Sequence, residues 1–395
     1  MRLLIVAMSE SVHTARWLSQ IEGLGWDVSL FPSRDLGAIH PDIRGVTVYH
    51  SFYGEEASDG SVRTRGIRLP RNGLAYAARM FNEKINPNYR AVRLMKLIRK
   101  MKPDLIHSLE IQHAGYLVLE AKKLSDFAFP PWIVTNWGSD IYLFGRLAEH
   151  IPKIRQVLAT CDYYSCECLR DVALARSYGF TGKVLPVFPN TGGFDLEKVY
   201  KLRQQGLTSE RRLIMLKGYQ GWAYRGLVGL RALERCADLL EGYTVAVYLG
   251  FNEEMKIAAE LFSHSTGVPV EMIPHSSHED ILRLHGRARI SIGIAISDAI
   301  STSFLEALVM GSFPIQSWTA CANEWVEDGI TGLLVPPEDP DVIEKAIRRA
   351  LTDVDLVNRA AELNWQTAAE RLDHKKLKPK IIDFYDSVQS DRHNG

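Results

Sequence analysis

The stretch Ser297–Gln316, SDAISTSFLEALVMGSFPIQ, decides the fold. The apolar run Ile290–Ile296 (ISIGIAI) leads into it and reads as a buried strand. A polar turn follows, and Ser301, Thr302 and Ser303 stand just where an apolar helix begins. Strand, polar turn and helix N-terminus in that order suit a phosphorylated ligand, because the first helical turn presents unpaired N–H groups and a partial positive charge. Two carboxylates eight positions apart, Asp298 and Glu306, flank the turn. The segment therefore favours nucleotide chemistry over a purely structural role. The rival reading is that Asp298 and Ser301 merely cap the helix.

The same rhythm extends in both directions. Strand-like runs at Leu3–Met8, Asp27–Phe31, Pro103–His107, Trp132–Asn136, Asp162–Cys166 and Val184–Phe188 alternate with helical patterns such as Thr14–Gly23 and Gly115–Leu124. The series restarts at Arg212–Leu216. It continues through Tyr243–Leu249, Val270–Ile273, Ile290–Ile296, Phe313–Gln316 and Leu333–Val335, with helices expected at Leu227–Leu240, Glu253–Phe262, Ser277–Arg287 and Phe304–Val309. Two such series predict two doubly wound, Rossmann-like α/β domains facing across a cleft. The loop Phe188–Asp195 (FPNTGGFD) is the expected junction. The expected boundaries are 1–190, 191–362 and a helical tail at 363–395, broken at Pro379, that crosses back onto the first domain.

A chain of 395 residues is too long for one core, which agrees with two domains. The apolar run Met1–Ala7 is too short for a secretory leader, and no stretch approaches the ~20 apolar residues of a membrane span. Five cysteines without a CxxC pair argue against a disulfide framework or zinc site, so a cytoplasmic location is expected. The net charge of zero hides an asymmetry: residues 1–190 carry a net charge of +6 and the remainder −6. From Ser61 to Lys102 there are 12 basic residues and one acid, Glu83. Such a block implies an anionic partner surface. Within it, Tyr89–Lys102 reads as a basic amphipathic helix able to lie on an anionic membrane, or else to pack Val92, Leu94 and Ile98 on the sheet.

Asp298–Glu306 resembles the E-x7-E motif of retaining glycosyltransferases with the GT-B fold, glycosyltransferase family 4. LEALVMGSFPIQS and NEWVEDGITGLLVPPEDPDVIEKAI (Asn323–Ile347) resemble the segments that follow that motif in the family. VAMSESVHTARWLSQIEGLGWDV (Val6–Val28) resembles its first strand, acceptor-side loop and first helix. The resemblance implies that Glu306 holds the ribose of a nucleotide diphosphate sugar. It also implies that Asp298 holds the transferred sugar and that Ser301, Thr302 and Ser303 bind the donor. Pro274 and His275 are expected in the loop over the base. Family members carry an Arg and a Lys in a G-R-x4-KG loop; here Arg225 matches the Lys, Tyr219 takes the Arg position, and Lys217 lies two positions earlier. Arg225 and Lys217 are the expected phosphate cations.

Other departures lie at Asp298, one methylene shorter than the family's Glu, and at Asn136–Asp140, where Trp137 stands in place of a His. A Trp can stack on a sugar but cannot shuttle a proton. On the acceptor side His13, Glu110, Trp137 and Asp140 are the candidates. The resemblance implies front-face attack, in which the leaving phosphate takes the acceptor's proton, and needs no metal or other cofactor. Expected partners are a nucleotide sugar, a glycan or lipid-linked acceptor and an anionic membrane surface at residues 61–102, with no nucleic acid. A surface polysaccharide or glycolipid is the expected product. The rival functions are a nucleotide-sugar epimerase of the same fold and a catalytically silent nucleotide-sugar binding protein.

Overall fold

The computed structural model describes residues 1–55 and 60–394, so residues 56–59 of the first expected domain and the last residue of the expected tail lie outside the described residues. The chain divides into two compact units, Met1–Gly192 with Lys378–Gly395, and Gly193–Leu377. The second unit therefore runs past residue 362, because Ala368 and Leu372 are buried in its core beside Phe304 and Trp325.

The first unit contains strands β1 Arg2–Ala7, β2 Asp27–Pro32, β3 Thr47–His50, β4 Arg63–Gly66, β5 Leu105–Leu109, β6 Trp132–Thr135, β7 Tyr163–Ser165 and β8 Lys183–Val184. They form one sheet in the order β4-β3-β2-β1-β5-β6-β7-β8, with parallel pairing throughout. Leu3–Ala7 and Leu105–Leu109 are buried on both faces, as helices covering a parallel sheet require. Strands β3 and β4 are not among the expected strands, and a third is shorter than expected. The edge strand β4 (RTRG) is held by backbone pairing to β3 and carries no apolar alternation. The expected strand Val184–Phe188 shrinks to Lys183–Val184, since Pro186 offers no N–H to a ladder.

The second unit contains β9 Leu213–Lys217, β10 Thr244–Tyr248, β11 Val270–Ile273, β12 Ala288–Gly293, β13 Phe313–Ser317 and β14 Leu333–Val335. Their order is β11-β10-β9-β12-β13-β14, again all parallel. The order reverses between β9 and β12, and Leu216 pairs with Ile292, so Lys217 and Gly293 end their strands side by side. Helix Thr302–Met310 follows β12, is buried from Ser303 to Met310, and stops at Gly311 in the left-handed conformation (φ 70°).

The break in the tail also lies elsewhere than expected. The helices Val354–Arg371 and His374–Asn394 break at Leu372–Asp373, while Pro379 lies inside the second of them. Proline there forfeits one helical hydrogen bond. Burial of Ile381, Phe384, Tyr385 and Val388 offsets that loss. Trp17 donates its indole N–H to the Tyr385 hydroxyl at 2.8 Å, which lies 2.8 Å from Nδ1 of His107. Nε2 of His107 lies 2.6 Å from the Thr135 hydroxyl. Burial pushes His107 down to about 3, so the ring is neutral and the chain of donors closes consistently.

Two outcomes follow from this network. Tyr385→Phe leaves the Trp17 N–H and the His107 Nδ1 buried without partners, and should cost about 1–3 kcal/mol for each, read as a drop in Tm. The unfolded state takes up the His107 proton near pH 6.5 and the folded state does not. The stability from this group is therefore complete above that pH and declines on acidification towards 3. An NMR titration should show the His107 resonance unmoved between pH 7 and about 5; a midpoint near 6.5 would contradict the buried network.

Candidate functional site

The site in the second unit is built where the strand order reverses, which is where open parallel sheets bind ligands. Lys217 is the last residue of β9, and its ammonium is buried. It donates to the Ser301 hydroxyl at 3.0 Å, and that hydroxyl lies 3.1 Å from the Ser303 hydroxyl. Ser301 is the N-cap residue of helix Thr302–Met310, yet its side chain makes no capping bond to the helix. The capping interpretation of Ser301 is thereby excluded. Its hydroxyl serves the lysine, and the helix N-terminus keeps its partial positive charge facing the same place.

Burial lowers the Lys217 pKa, while Asp298 and Glu306 pull it back up. The ammonium also lies over the rings of Tyr224 and Tyr219, 4.7 and 5.6 Å from their centroids. Asp298 is half-buried, accepts from the Ala299 N–H at 3.0 Å, and is the main influence raising the Tyr224 phenol. Thr302 is half-buried at the start of the helix. Gly218 follows the lysine and donates its N–H to the Tyr248 carbonyl at 2.8 Å. A Cβ on Gly218 would stand 2.5 Å from Val247 and 2.9 Å from Gly250, so only glycine lets the β9 and β10 exits lie this close.

Glu306 is buried one turn into the helix, with Oε1 2.9 Å from Nε2 of His278 and Oε2 3.8 Å from Nε2 of His285. His278 is half exposed at the start of helix His278–Arg287. His285 is fully buried, is pushed down to about 4 by burial, and bonds Ser291 at 2.9 Å. Pro274 and His275 lie exposed in the loop after β11. Arg225 is engaged elsewhere: its guanidinium meets Glu338 at 2.8 Å and donates to the carbonyls of Gly221 and Tyr224. Sequence reading missed Tyr224, Tyr248 and His285. Tyr248 was recoverable, since it ends a strand beside Lys217.

The first unit carries a second cluster at its own reversal, between β1 and β5. Glu110, directly after β5, adopts φ 77° and ψ 157°, a region costly for any residue but glycine. Its carboxylate accepts the His113 N–H at 2.8 Å and the Ala114 N–H, capping the π turn Ile111–Gly115. Asp140 accepts from the N–H groups of Trp137 (2.8 Å) and Ile111 (2.9 Å). Burial raises the Asp140 pKa well above the usual carboxylate range, with Glu110 adding to the effect. Both acids thus hold the loops in place. What they present is the ring pair His13 and Trp137, with centroids 5.5 Å apart. The Trp137 indole N–H is buried without a partner among the described residues.

Residues 231–365 match the family described as Glycosyl transferases group 1, and residues 82–162 match that described as Glycosyl transferase 4-like. The first match spans Asp298, the serine turn and Glu306. No curated protein matches the sequence. Among solved structures the chain is similar to sucrose-phosphate synthase from Thermosynechococcus elongatus, with a TM-score of 0.72, 15% identity and 99% of each chain covered. It is also similar to Anabaena Alr3699/HepE in complex with UDP and glucose, with a TM-score of 0.69, 15% identity and coverage of 98% of this chain and 100% of the other. Alpha,alpha-trehalose 6-phosphate synthase from Burkholderia multivorans gives a TM-score of 0.69 at 13% identity, covering 99% of this chain and 98% of the other. Identities this low speak for the fold, and that fold is GT-B. With a group 1 domain spanning the carboxylates and the serine turn, the chain is a glycosyltransferase.

A buried ammonium without a directly bonded carboxylate is a stability liability. Lys217→Met should therefore raise Tm of the ligand-free protein, by about 2–4 °C for each kcal/mol of relieved desolvation. A fall in Tm of that size would mark Lys217 as a structural residue.

Proposed function

We propose that the protein moves a sugar from a nucleoside diphosphate sugar to an acceptor hydroxyl, with retention at the anomeric carbon and without a metal. The observation that carries the proposal is the buried Lys217 ammonium beside a helix N-terminus that has no side-chain cap. Both would face the diphosphate, and both are worth most where negative charge develops as it leaves. Arg225 would join them by exchanging Glu338 for phosphate; that carboxylate is largely exposed, so the present ion pair is weak.

In this reading Glu306 accepts the ribose hydroxyls and His278 swings aside, which its half-exposed position permits. Asp298 holds the sugar's hydroxyls, Thr302 and Ser303 meet the phosphates, and Pro274 and His275 lie over the base. The bond from the anomeric carbon to the phosphate oxygen breaks as the acceptor oxygen bonds the same carbon on the same face. The acceptor's proton passes to the departing phosphate oxygen. No protein base is then required, so Trp137 can stand where relatives carry a histidine. On the acceptor side Trp137 and His13 supply a stacking surface and a free indole N–H, with Glu110 and Asp140 fixing their loops. Anabaena Alr3699/HepE was solved with UDP-glucose, which makes a uridine donor the first to test. The acceptor is read as a glycan or lipid-linked sugar of surface polysaccharide or glycolipid synthesis at the cytoplasmic side.

A thermal-shift screen of nucleoside diphosphate sugars should give one base and sugar that raise Tm, and that donor should turn over equally well with a chelator present. Glu306→Ala should weaken donor use by about 10–100-fold, the value of hydrogen bonds to a charged group. Wild-type rates in that variant would reject the ribose assignment. An isomerised donor formed without acceptor would identify an epimerase instead.

A further inference from the structure

Helix Gly73–Ile85 is inside out. The residues it turns towards its own unit are Ala75, Arg79, Asn82 and Glu83, which are buried or half-buried. Arg79 anchors that inner face. Its Nε lies 2.8 Å from Glu83 and 3.9 Å from the Asp35 carboxylate, and its guanidinium lies 5.5 Å from the centroid of the Tyr53 ring. The outer face is apolar. Leu74 is 85% exposed, Phe81 67% and Ile85 66%, and Tyr76 and Met80 are more than half exposed. At 3.6 residues per turn Leu74, Ala77, Ala78, Phe81 and Ile85 line up as one stripe. A soluble surface helix has the opposite arrangement, so this stripe calls for a partner.

The neighbouring helix Tyr89–Met101 removes one expectation. Its apolar face, with Leu94 and Ile98, is buried in the core of the first unit, so it has no stripe left to insert in a membrane. The apolar surface of the basic block belongs instead to Gly73–Ile85. Just before that helix in sequence come the exposed Arg63, Arg65, Arg68 and Arg71, and the exposed Lys84 lies within it, while the block's single acid, Glu83, is paired with Arg79.

We infer that helix Gly73–Ile85 docks on an anionic phospholipid bilayer, with its outer stripe in the interfacial layer and the arginines on the headgroup phosphates. Charge decides between occupants. A second copy would bring 12 basic residues and one acid against an identical block, whereas an anionic bilayer accepts the apolar stripe and the cations together. Lys84, flanking the stripe, can extend its stem along apolar surface and leave its ammonium among the phosphates. No helix among the described residues is long and apolar enough to cross a membrane, so the contact is peripheral. The inference stands independently of the transferase chemistry proposed above.

The test is flotation of the full chain with phosphatidylcholine vesicles and with mixed phosphatidylcholine–phosphatidylglycerol vesicles. Binding is expected to the anionic vesicles only, and to weaken steeply with salt. The triple variant Leu74→Asp/Phe81→Asp/Ile85→Asp should bind at least about tenfold more weakly. Its circular dichroism and Tm should be unchanged, because all three side chains are exposed. Replacing Arg63, Arg65, Arg68 and Arg71 with Ser should abolish the preference for anionic lipid. Wild-type binding by the triple variant, or no vesicle binding by the wild type at low salt, would overturn the inference. So would a concentration-dependent dimer that the triple variant loses, since the stripe would then serve a second copy.

Discussion

Reversal of strand order within a parallel sheet leaves a gap at the carboxyl ends of the two central strands, and the site is built in that gap. In the second unit the strands are β9 and β12. Their paired ends bring Lys217 up to the turn that opens helix Thr302–Met310. The desolvated ammonium, the serine hydroxyls and the helix N-terminus then converge on one small region. Their shared polarity is unfavourable without an anion and favourable with one. The strained backbone of Glu110, at the equivalent reversal between β1 and β5, occupies the corresponding position in the first unit.

Much of this was legible from the chain itself. The alternation of apolar runs with helical periods gave the central strands, because strands buried on both faces have no choice but continuous apolar sequence. The edge strand β4 was not legible, since an exposed edge is held by backbone pairing alone. The break at Leu372–Asp373 was misplaced to Pro379, because a proline's lost hydrogen bond is a small penalty beside two buried aromatic rings. Side-chain partners were the least legible of all. That His278 holds Glu306 while Arg225 is drawn to Glu338 depends on distances between segments far apart in sequence.

Helix Gly73–Ile85 shows a different limit. Its sequence, GLAYAARMFNEKI, carries no helix among the expected elements, and only the surrounding structure reveals which face is turned inward. Asp35, reaching Arg79 from 44 residues away, sets that orientation. The charge density of residues 61–102 was visible in the sequence; the apolar surface that accompanies it was not.

Lys217 is the buried cation at the centre of the proposed diphosphate site. Calorimetric titration with UDP, ADP and GDP, and with the matching monophosphates, tests this most directly when wild type and Lys217→Met are compared. At least one diphosphate should bind the wild type more tightly than its monophosphate. The variant should lose about tenfold or more of that affinity, together with the preference for the diphosphate. Undiminished diphosphate binding by a folded Lys217→Met protein would contradict the account.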